Sequence, residues 1–142
     1  MSRSHCIEQR FSVPFDYPVH FVRDAFAPGS SVLEDVFDRL NESRVHRVAV
    51  VVDEGLAAAR PGLAGTISAY FHARRARLEL AGPVMSFTGG GAAKSGPDGL
   101  AGLIADLGNL HLDRQSYVLA VGGGSMLDAV GLAVSLVHQI GR

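Results

Sequence analysis

The sequence has little of what several classes of protein require. Its 142 residues include one cysteine, Cys6, which excludes an internal disulfide framework and favours a reducing compartment. Charge of either sign is not in excess: the formal net charge is −1, which gives no electrostatic reason to expect nucleic acid or an anionic membrane as a partner. Long hydrophobic runs are also missing, because Gly, Asp or Ser interrupts each apolar stretch well short of a membrane span.

A targeting signal is missing as well. The N-terminus, MSRSHCIEQR, has no apolar core of the kind that a signal peptide needs. The hydrophobic fraction of 47% suits burial, and a chain of this length supports one domain with a real core. We therefore predict a cytoplasmic protein with a single domain over residues 1–142.

The order of the predicted elements favours an α/β fold. Two short strands, Gln9 to Phe15 and Val19 to Arg23, flank Asp16-Tyr17-Pro18 and predict an N-terminal β-hairpin. Further strands are predicted over residues 47–52, 77–87 and 117–121, and Gly82-Pro83 should break the second of them. Helices are predicted over residues 32–41, 56–75, 100–110 and 125–139, and Pro61-Gly62 should delay the regular part of the second helix. This order predicts a Rossmann-like, mostly parallel sheet with helices on both faces, preceded by the hairpin.

The most informative stretch is Tyr117 to His138, YVLAVGGGSMLDAVGLAVSLVH. An apolar strand runs into Gly122, Gly123 and Gly124, and Ser125 then opens an apolar helix. Backbone N–H groups at such a turn can point at a phosphate, but a tight strand-to-helix turn without a ligand explains the same glycines. A dinucleotide fingerprint is only half present because Leu127 occupies its last glycine position, and a P-loop is excluded because no Gly-Lys-Ser/Thr follows.

Two aspartates near these elements each have two interpretations. Asp53 ends the strand over residues 47–52, where it can accept hydrogen bonds from ribose hydroxyls or simply cap the next segment. Asp128 lies three residues after Ser125, which is the spacing of a capping box. Its other interpretation is a contact with a ribose or substrate hydroxyl.

A second glycine-rich loop, Gly89-Gly90-Gly91-Ala92-Ala93-Lys94, also follows a predicted strand. Lys94 can neutralise a phosphate there or remain a solvated loop lysine. Both glycine-rich loops should open on the same carboxyl edge of a parallel sheet, which favours a shared ligand site.

Catalytic and metal-binding patterns are missing. No two of the six histidines lie within four residues of each other, so local metal-ligand spacing is absent, and we interpret each as a surface or packed histidine. Ser125 lacks the flanking pattern of a nucleophile elbow. We predict no catalytic residue and no metal ligand within this chain.

The segments GGGSMLDAVGLAVS, GGGAAK and VVVDEGL together resemble the 3-dehydroquinate synthase family of sugar phosphate cyclases. The likeness covers the whole chain but corresponds only to the N-terminal, NAD-binding domain of such an enzyme. Gly131, three residues after Asp128, and the loop that ends in Lys94 favour the cyclases over the related iron-containing alcohol and glycerol dehydrogenases. The N-terminal RFSVPFDYPVHFVRDAF looks most like cyclase-like proteins encoded in bacterial secondary-metabolite clusters.

The resemblance implies roles for the residues identified above. Asp53 would bind the adenosine ribose, and Lys94 with Gly90 and Gly91 would contact the cofactor. The pyrophosphate would lie on the turn formed by Gly122, Gly123, Gly124 and Ser125, with Asp128 near the nicotinamide. The full-length enzyme would be a carbon–oxygen lyase and a homodimer: NAD transiently oxidises a phosphorylated sugar, phosphate is eliminated, the hydride returns and a carbocycle forms.

Two departures from the family limit these expectations. The cyclases usually carry a cofactor-binding glutamate at the position of Gly91. The metal ligands, for zinc or cobalt, and most substrate-binding residues belong to a C-terminal domain that has no counterpart here, so the chain alone is expected to be inactive. The alternatives are a fragment of a metal-dependent polyol or alcohol dehydrogenase, and a non-catalytic nucleotide-binding module.

Overall fold

A computed structural model describes residues 6–14, 16–88 and 97–140. Its elements, in chain order, are α1 (Val32–Phe37), β1 (His46–Asp53), α2 (Glu54–Ala59), α3 (Leu63–Ala73), β2 (Leu78–Leu80), β3 (Met85–Phe87), α4 (Pro97–Asn109), β4 (Tyr117–Val121) and α5 (Gly124–Ile140). After α1, strands and helices follow in the order β1, α2–α3, β2–β3, α4, β4 and α5. The strand β1 pairs in parallel with each of the other three strands. The predicted α/β class and parallel sheet are confirmed.

The strand β1 is the centre of the sheet. Its residues Val48 and Val51 each pair with β4 and also with β2 or β3, so β4 occupies one edge of β1 while β2 and β3 share the other edge end to end. The chain advances five residues from Leu80 to Met85 while β1 advances three from Val48 to Val51. Two extra residues therefore leave the ladder, at the Gly82-Pro83 break that the sequence predicts.

Helices cover both faces of the sheet, as predicted. On one face, Val48, Val50 and Val52 pack against α1 and α3 through a cluster that includes Phe37, Ile67, Tyr70 and Phe71. On the other face, Ala49 and Val51 pack against α4 and α5 through Leu103, Leu107, Met126, Val130 and Ala133. Because alternate residues of β1 enter different clusters, the run of β-branched residues that the sequence shows is required by burial on both faces.

The predicted N-terminal hairpin is wrong. Residues 6–14 and 16–22 contain no strand, and Phe15 lies outside the described residues. The apolar residues of this segment are exposed, among them Phe11 and Phe21. An isolated two-stranded hairpin is marginal in water without a third strand or a packed helix, and none covers this segment within the described part of the chain.

The remaining boundaries differ from the sequence prediction by a few residues. Pro61-Gly62 separates α2 from α3, as predicted, and α1 ends at Phe37 rather than at Asn41. Ser31 occupies the N-cap position of α1, but its hydroxyl donates to Asp35 Oδ2 at 2.9 Å instead of capping the backbone. In the described residues, no helix has the length and hydropathy to cross a membrane.

One histidine is fully buried at the amino end of β1. The ring of His46 lies against that of Tyr117, with centroids 5.7 Å apart, and its Nε2 is 3.7 Å from Asp38 Oδ1. Asp38 also pairs with Arg77 at the surface. His46 is therefore a packed histidine, as expected, and lies at the opposite end of β1 from Asp53.

Tyr70 ties α3 to the loop before α1. Its hydroxyl donates to the Ser30 carbonyl at 2.9 Å, and the Arg74 guanidinium lies 3.8 Å from the centre of its ring. Arg74 also donates to the Ser30 carbonyl and pairs with Glu34. Burial raises the pKa of the Tyr70 phenol above its ordinary value of 10.0, although the Arg74 charge opposes this shift.

We expect Tyr70→Phe to lower the free energy of unfolding by about 1 kcal/mol, because one hydrogen bond is lost. A pKa that is higher in the folded than in the unfolded state contributes stability below pH 10.0, and that stability is lost as the pH rises through the folded-state pKa. The variant should therefore lose less stability than the parent above pH 10.0. Urea unfolding at neutral and alkaline pH measures both effects, and parallel pH profiles would contradict the second.

Candidate functional site

The strands β1 and β4 form a point at which the direction of the winding changes. After β1 the chain passes through α2 and α3, on one face of the sheet, to β2. After β3 it passes through α4, on the other face, to β4, which lies on the far side of β1. The helices that follow β1 and β4 therefore leave the sheet on opposite faces. Ligands of open α/β sheets bind in the crevice that such a divergence opens at the carboxyl ends of the strands.

The ends of β1 and β4 meet at this point. Val52 is paired with Val121, so Asp53 and Gly122 follow at the same level of the sheet. A Cβ added to Gly122 would lie 2.8 Å from Asp53 Cβ and 3.1 Å from Met126 Sδ. The glycine is therefore required by packing, since any side chain at position 122 would push the turn away from Asp53.

Asp53 caps the helix that follows it. Its Oδ1 accepts a hydrogen bond from the Leu56 N–H at 3.0 Å, and its backbone is extended, as an N-cap residue requires. The capping interpretation of Asp53 is thus confirmed. The Asp53 residue as a whole is half-buried.

The helix α5 begins one residue earlier than the sequence suggests. The Gly123 carbonyl accepts from Met126 N and Leu127 N, both at 3.0 Å, so Gly123 is the N-cap residue. Ser125 is then a helical residue and Asp128 lies in the second turn, which means that the capping-box interpretation of Asp128 is wrong. Asp128 is exposed, on the same side of α5 as Ser125.

Gly123 and Gly124 differ from Gly122 in their surroundings. A Cβ added to either would meet no atom within 4 Å, and neither backbone is in the left-handed region. Both residues are exposed, and the N–H groups of Gly124 and Ser125 precede the first hydrogen bond within the helix. Packing of the described residues thus gives no reason for glycine at these two positions.

The second glycine-rich loop cannot be placed in this site. Gly90, Gly91 and Lys94 lie outside the described residues. The last described residue before them, Thr88, follows β3 and donates through its hydroxyl to Glu54 at the start of α2. Thr88 and Glu54 therefore join the ends of β1 and β3 at the same carboxyl edge, a contact that the sequence analysis did not predict.

A groove adjoins the end of β4. It has a volume of about 450 Å³ and is lined by residues 22–26, by Leu56 and residues 60–63, by Thr66 and by Val121. Two cationic side chains, Arg23 and Arg60, border it. The sequence analysis did not identify either arginine, because no motif links residues from the N-terminal segment, the α2–α3 connection and β4.

A larger cavity lies away from this edge. Its volume is about 700 Å³, and it is lined by residues of α4, α5 and the segment before β4, among them Leu112, Ser116 and Val134. It therefore opens near the amino end of β4, where ligands of parallel α/β sheets are not expected. We place the candidate site at the carboxyl edge, where the helices that follow β1 and β4 diverge and where the sequence motifs lie.

The described residues of the site include no arrangement of metal ligands. Across residues 6–14, 16–88 and 97–140, no three His, Cys, Asp or Glu side chains are grouped so that they could hold a metal ion. The described residues thus do not fit the zinc or cobalt site that the sequence resemblance assigns to a further domain.

Comparison with known proteins does not assign the chain to a family. No protein-family model matches it, and neither the curated proteins nor the solved structures gave a significant match. The likeness to sugar phosphate cyclases therefore remains a prediction from the sequence, and the site must be interpreted from its own geometry.

Proposed function

We propose that the carboxyl edge of this sheet binds NAD, and that the chain is the cofactor-binding half of a 3-dehydroquinate synthase-like sugar phosphate cyclase. The observation that carries the NAD proposal is the pair Gly123 and Gly124. Gly122 is explained by its contact with Asp53, but its two neighbours have open space where a side chain would lie. A phosphate that approaches the backbone closely is a physical reason to exclude side chains there.

The described residues offer complementary groups for a dinucleotide. The N–H groups of Gly124 and Ser125 at the start of α5, together with the positive end of its dipole, suit a pyrophosphate. The carboxylate of the half-buried Asp53 suits the hydroxyls of the adenosine ribose. Bound there, NAD would supply transient oxidation of an alcohol.

The role of this chain is then to bind and to orient the cofactor. The Gly122 contact holds the glycine turn against Asp53, which fixes the distance between the groups proposed for the pyrophosphate and the ribose. Asp128, exposed one turn further along α5, extends the site towards the proposed nicotinamide end. Lys94, Gly90 and Gly91 remain proposed cofactor contacts on sequence grounds alone.

The test uses two alanine substitutions in the same helix. Gly124→Ala should weaken NAD⁺ binding at least about tenfold, because the new methyl group occupies the space assigned to the pyrophosphate. Gly131→Ala, two turns along α5 and also without neighbours at Cβ, should leave the affinity unchanged. Both variants should be as stable as the parent chain or more so, since alanine favours a helix.

Isothermal titration calorimetry with NAD⁺, accompanied by urea unfolding of each variant, makes both comparisons. Absence of saturable NAD⁺ binding by the parent chain would refute the proposal. Equal affinities of the two variants would refute the assignment of the pyrophosphate to the glycine turn. A loss of stability in Gly124→Ala would show that packing, and not a ligand, requires the glycine.

The cyclase and the dehydrogenase alternatives differ in their products. A cyclase releases inorganic phosphate from a phosphorylated sugar and returns its hydride, so NADH does not accumulate. A polyol dehydrogenase accumulates NADH and releases no phosphate. Assay of the complete gene product for both quantities with phosphorylated sugars therefore distinguishes these enzymes, and NAD⁺ binding without either product would favour the non-catalytic module.

A further inference from the structure

A cavity of about 700 Å³ lies beside the amino end of β4, between α4 and α5. Five aliphatic side chains line it: Leu107, Leu112, Val118, Val134 and Val137. Its volume is within the range of pockets that hold small molecules, about 300–1,000 Å³, and such pockets are mostly apolar with a few polar groups that orient the ligand. The cavity therefore has the size and the lining of a ligand site.

Packing leaves the sheet incompletely covered at this cavity. Val118 of β4 pairs with Ala49 of β1, and both side chains join the cluster on the face that α4 and α5 cover. Ala49 is 1% exposed, whereas Val118 is only half-buried. Gly131 of α5 also lines the cavity, and a Cβ added to it would meet no atom within 4 Å. An apolar molecule in the cavity would therefore cover Val118 as the helices cover Ala49.

Most polar side chains at the cavity already bond within their own chain. Asp113 Oδ1 accepts from the Ser116 hydroxyl at 2.7 Å and from the Gln115 N–H at 2.9 Å, and these bonds hold the pKa of the Asp113 carboxyl below its ordinary value. The Ser135 hydroxyl donates to the Leu132 carbonyl at 2.7 Å. Because a hydroxyl has one proton, neither serine has a donor left for a ligand.

Arg114 is the exception among these polar residues. Its guanidinium makes no hydrogen bond or ion pair with any residue of 6–14, 16–88 or 97–140. The group stays charged at any physiological pH and presents N–H donors in a planar fork that matches a carboxylate. The donor that the described lining offers to a ligand is therefore a cation at the edge of an apolar cavity.

We propose that this cavity binds a small amphipathic anion, an aliphatic carboxylate whose chain lies against Val118 and Val134 and whose carboxylate pairs with Arg114. None of the described lining residues is aromatic, so an aliphatic chain fits the lining better than a ring that needs a stacking partner. The ionised Asp113 borders the same cavity, and its charge opposes a phosphate dianion more strongly than a monoanion.

This site is separate from the carboxyl edge of the sheet. The cavity opens near the amino end of β4, whereas the proposed cofactor groups follow the carboxyl ends of β1 and β4. A ligand at the cavity therefore has no contact with the glycine turn at Gly122, Gly123 and Gly124. The proposal does not depend on nucleotide binding, and either site can fail its test without affecting the other.

Isothermal titration calorimetry with decanoate, below the concentration at which it forms micelles, tests the charge. The parent chain should bind decanoate saturably, whereas acetate, which has the carboxylate without the chain, should show no measurable binding. Arg114→Gln should weaken decanoate binding about tenfold, because a charge-assisted pair is lost, and should leave the weaker binding of decanol unchanged. Arg75→Gln, which removes an exposed charge just beyond α3, should leave the affinity for decanoate unchanged.

A matched pair of leucine substitutions tests the cavity. Gly131→Leu places a side chain in the open space and should weaken the binding of decanoate and of decanol at least about tenfold. Gly102→Leu, on α4 and also open at Cβ, lies outside this cavity and should change neither affinity. Both variants should be at least as stable as the parent chain in urea, since leucine favours a helix over glycine.

Backbone amide NMR shifts locate the bound decanoate. The amides of Arg114, Ser116 and Gly131 should shift on titration. Shifts confined to exposed apolar residues near the N-terminus, such as Phe11 and Phe21, would show adsorption elsewhere and overturn the proposal. Absence of saturable binding would overturn it as well, as would affinity that survives Gly131→Leu. Equal affinities of the parent chain for decanoate and decanol would refute the anionic class of ligand.

Discussion

Gly122→Ala is expected to lower the free energy of unfolding by about 1–3 kcal/mol, which is the usual cost of adding a methyl group where neighbouring atoms leave no room for it. The added Cβ would lie 2.8 Å from Asp53 Cβ, an atom fixed to the backbone of β1, and 3.1 Å from the buried Met126 sulfur. Asp53 Cβ cannot move without shifting the end of β1, and the Met126 sulfur can move only if a buried side chain repacks. The turn must therefore separate from Asp53, and urea unfolding measures the cost.

The matched control is Gly124→Ala, two residues away in the same turn. No atom lies within 4 Å of the new Cβ, so this change should stabilise the chain by about 0.4–1 kcal/mol through the entropy of the unfolded state. A double-mutant cycle with Asp53→Gly, which removes the opposing Cβ, should recover part of the Gly122→Ala loss. If Gly122→Ala and Gly124→Ala changed the stability equally, and if the effects of Gly122→Ala and Asp53→Gly were additive, the contact with Asp53 would not set the position of the turn.

Phe71→Ala is expected to have the largest effect on stability, a loss of about 3–5 kcal/mol. The Phe71 ring is 2% exposed and lies in the cluster that joins α1 and α3 to Val48, Val50 and Val52 of β1. Truncation removes the apolar contacts of the ring and leaves a cavity that the surrounding strand and helices can fill only in part. Chemical denaturation of the purified variant and of the parent chain gives the difference in their free energies of unfolding.

The same substitution at an exposed position is the control. Phe21→Ala removes the same atoms from a side chain that is 96% exposed, and should change the stability by no more than about 0.5 kcal/mol. Similar losses in the two variants would mean that Phe21 is packed in solution, contrary to the structure.

The predictions that depended on local chemistry were the most accurate. The strand over residues 117–121 is correct at both ends, because an apolar run meets a glycine turn. Pro61-Gly62 and Gly82-Pro83 interrupt a helix and a strand as expected, since proline lacks a backbone donor.

The errors arose where the structure depends on distant partners. The sequence over residues 7–21 has the alternation of a strand, but strand formation needs a neighbour, and the described residues supply none. For Asp128, the spacing from Ser125 was correct for a capping box, but the Gly123 carbonyl sets the start of α5. A motif of four residues does not contain that information.

The sequence by itself determined the α/β class, the burial of β1 on both faces and the end of β4 at the glycine turn. These features follow from periodicity, side-chain shape and backbone restriction within short segments. Tertiary structure decided that β4 lies next to β1, that Gly122 packs on Asp53 and that Arg23 and Arg60 border one groove. These facts depend on the strand order and on which face each helix covers. Both result from the burial of apolar surface over the whole chain, which no local pattern specifies.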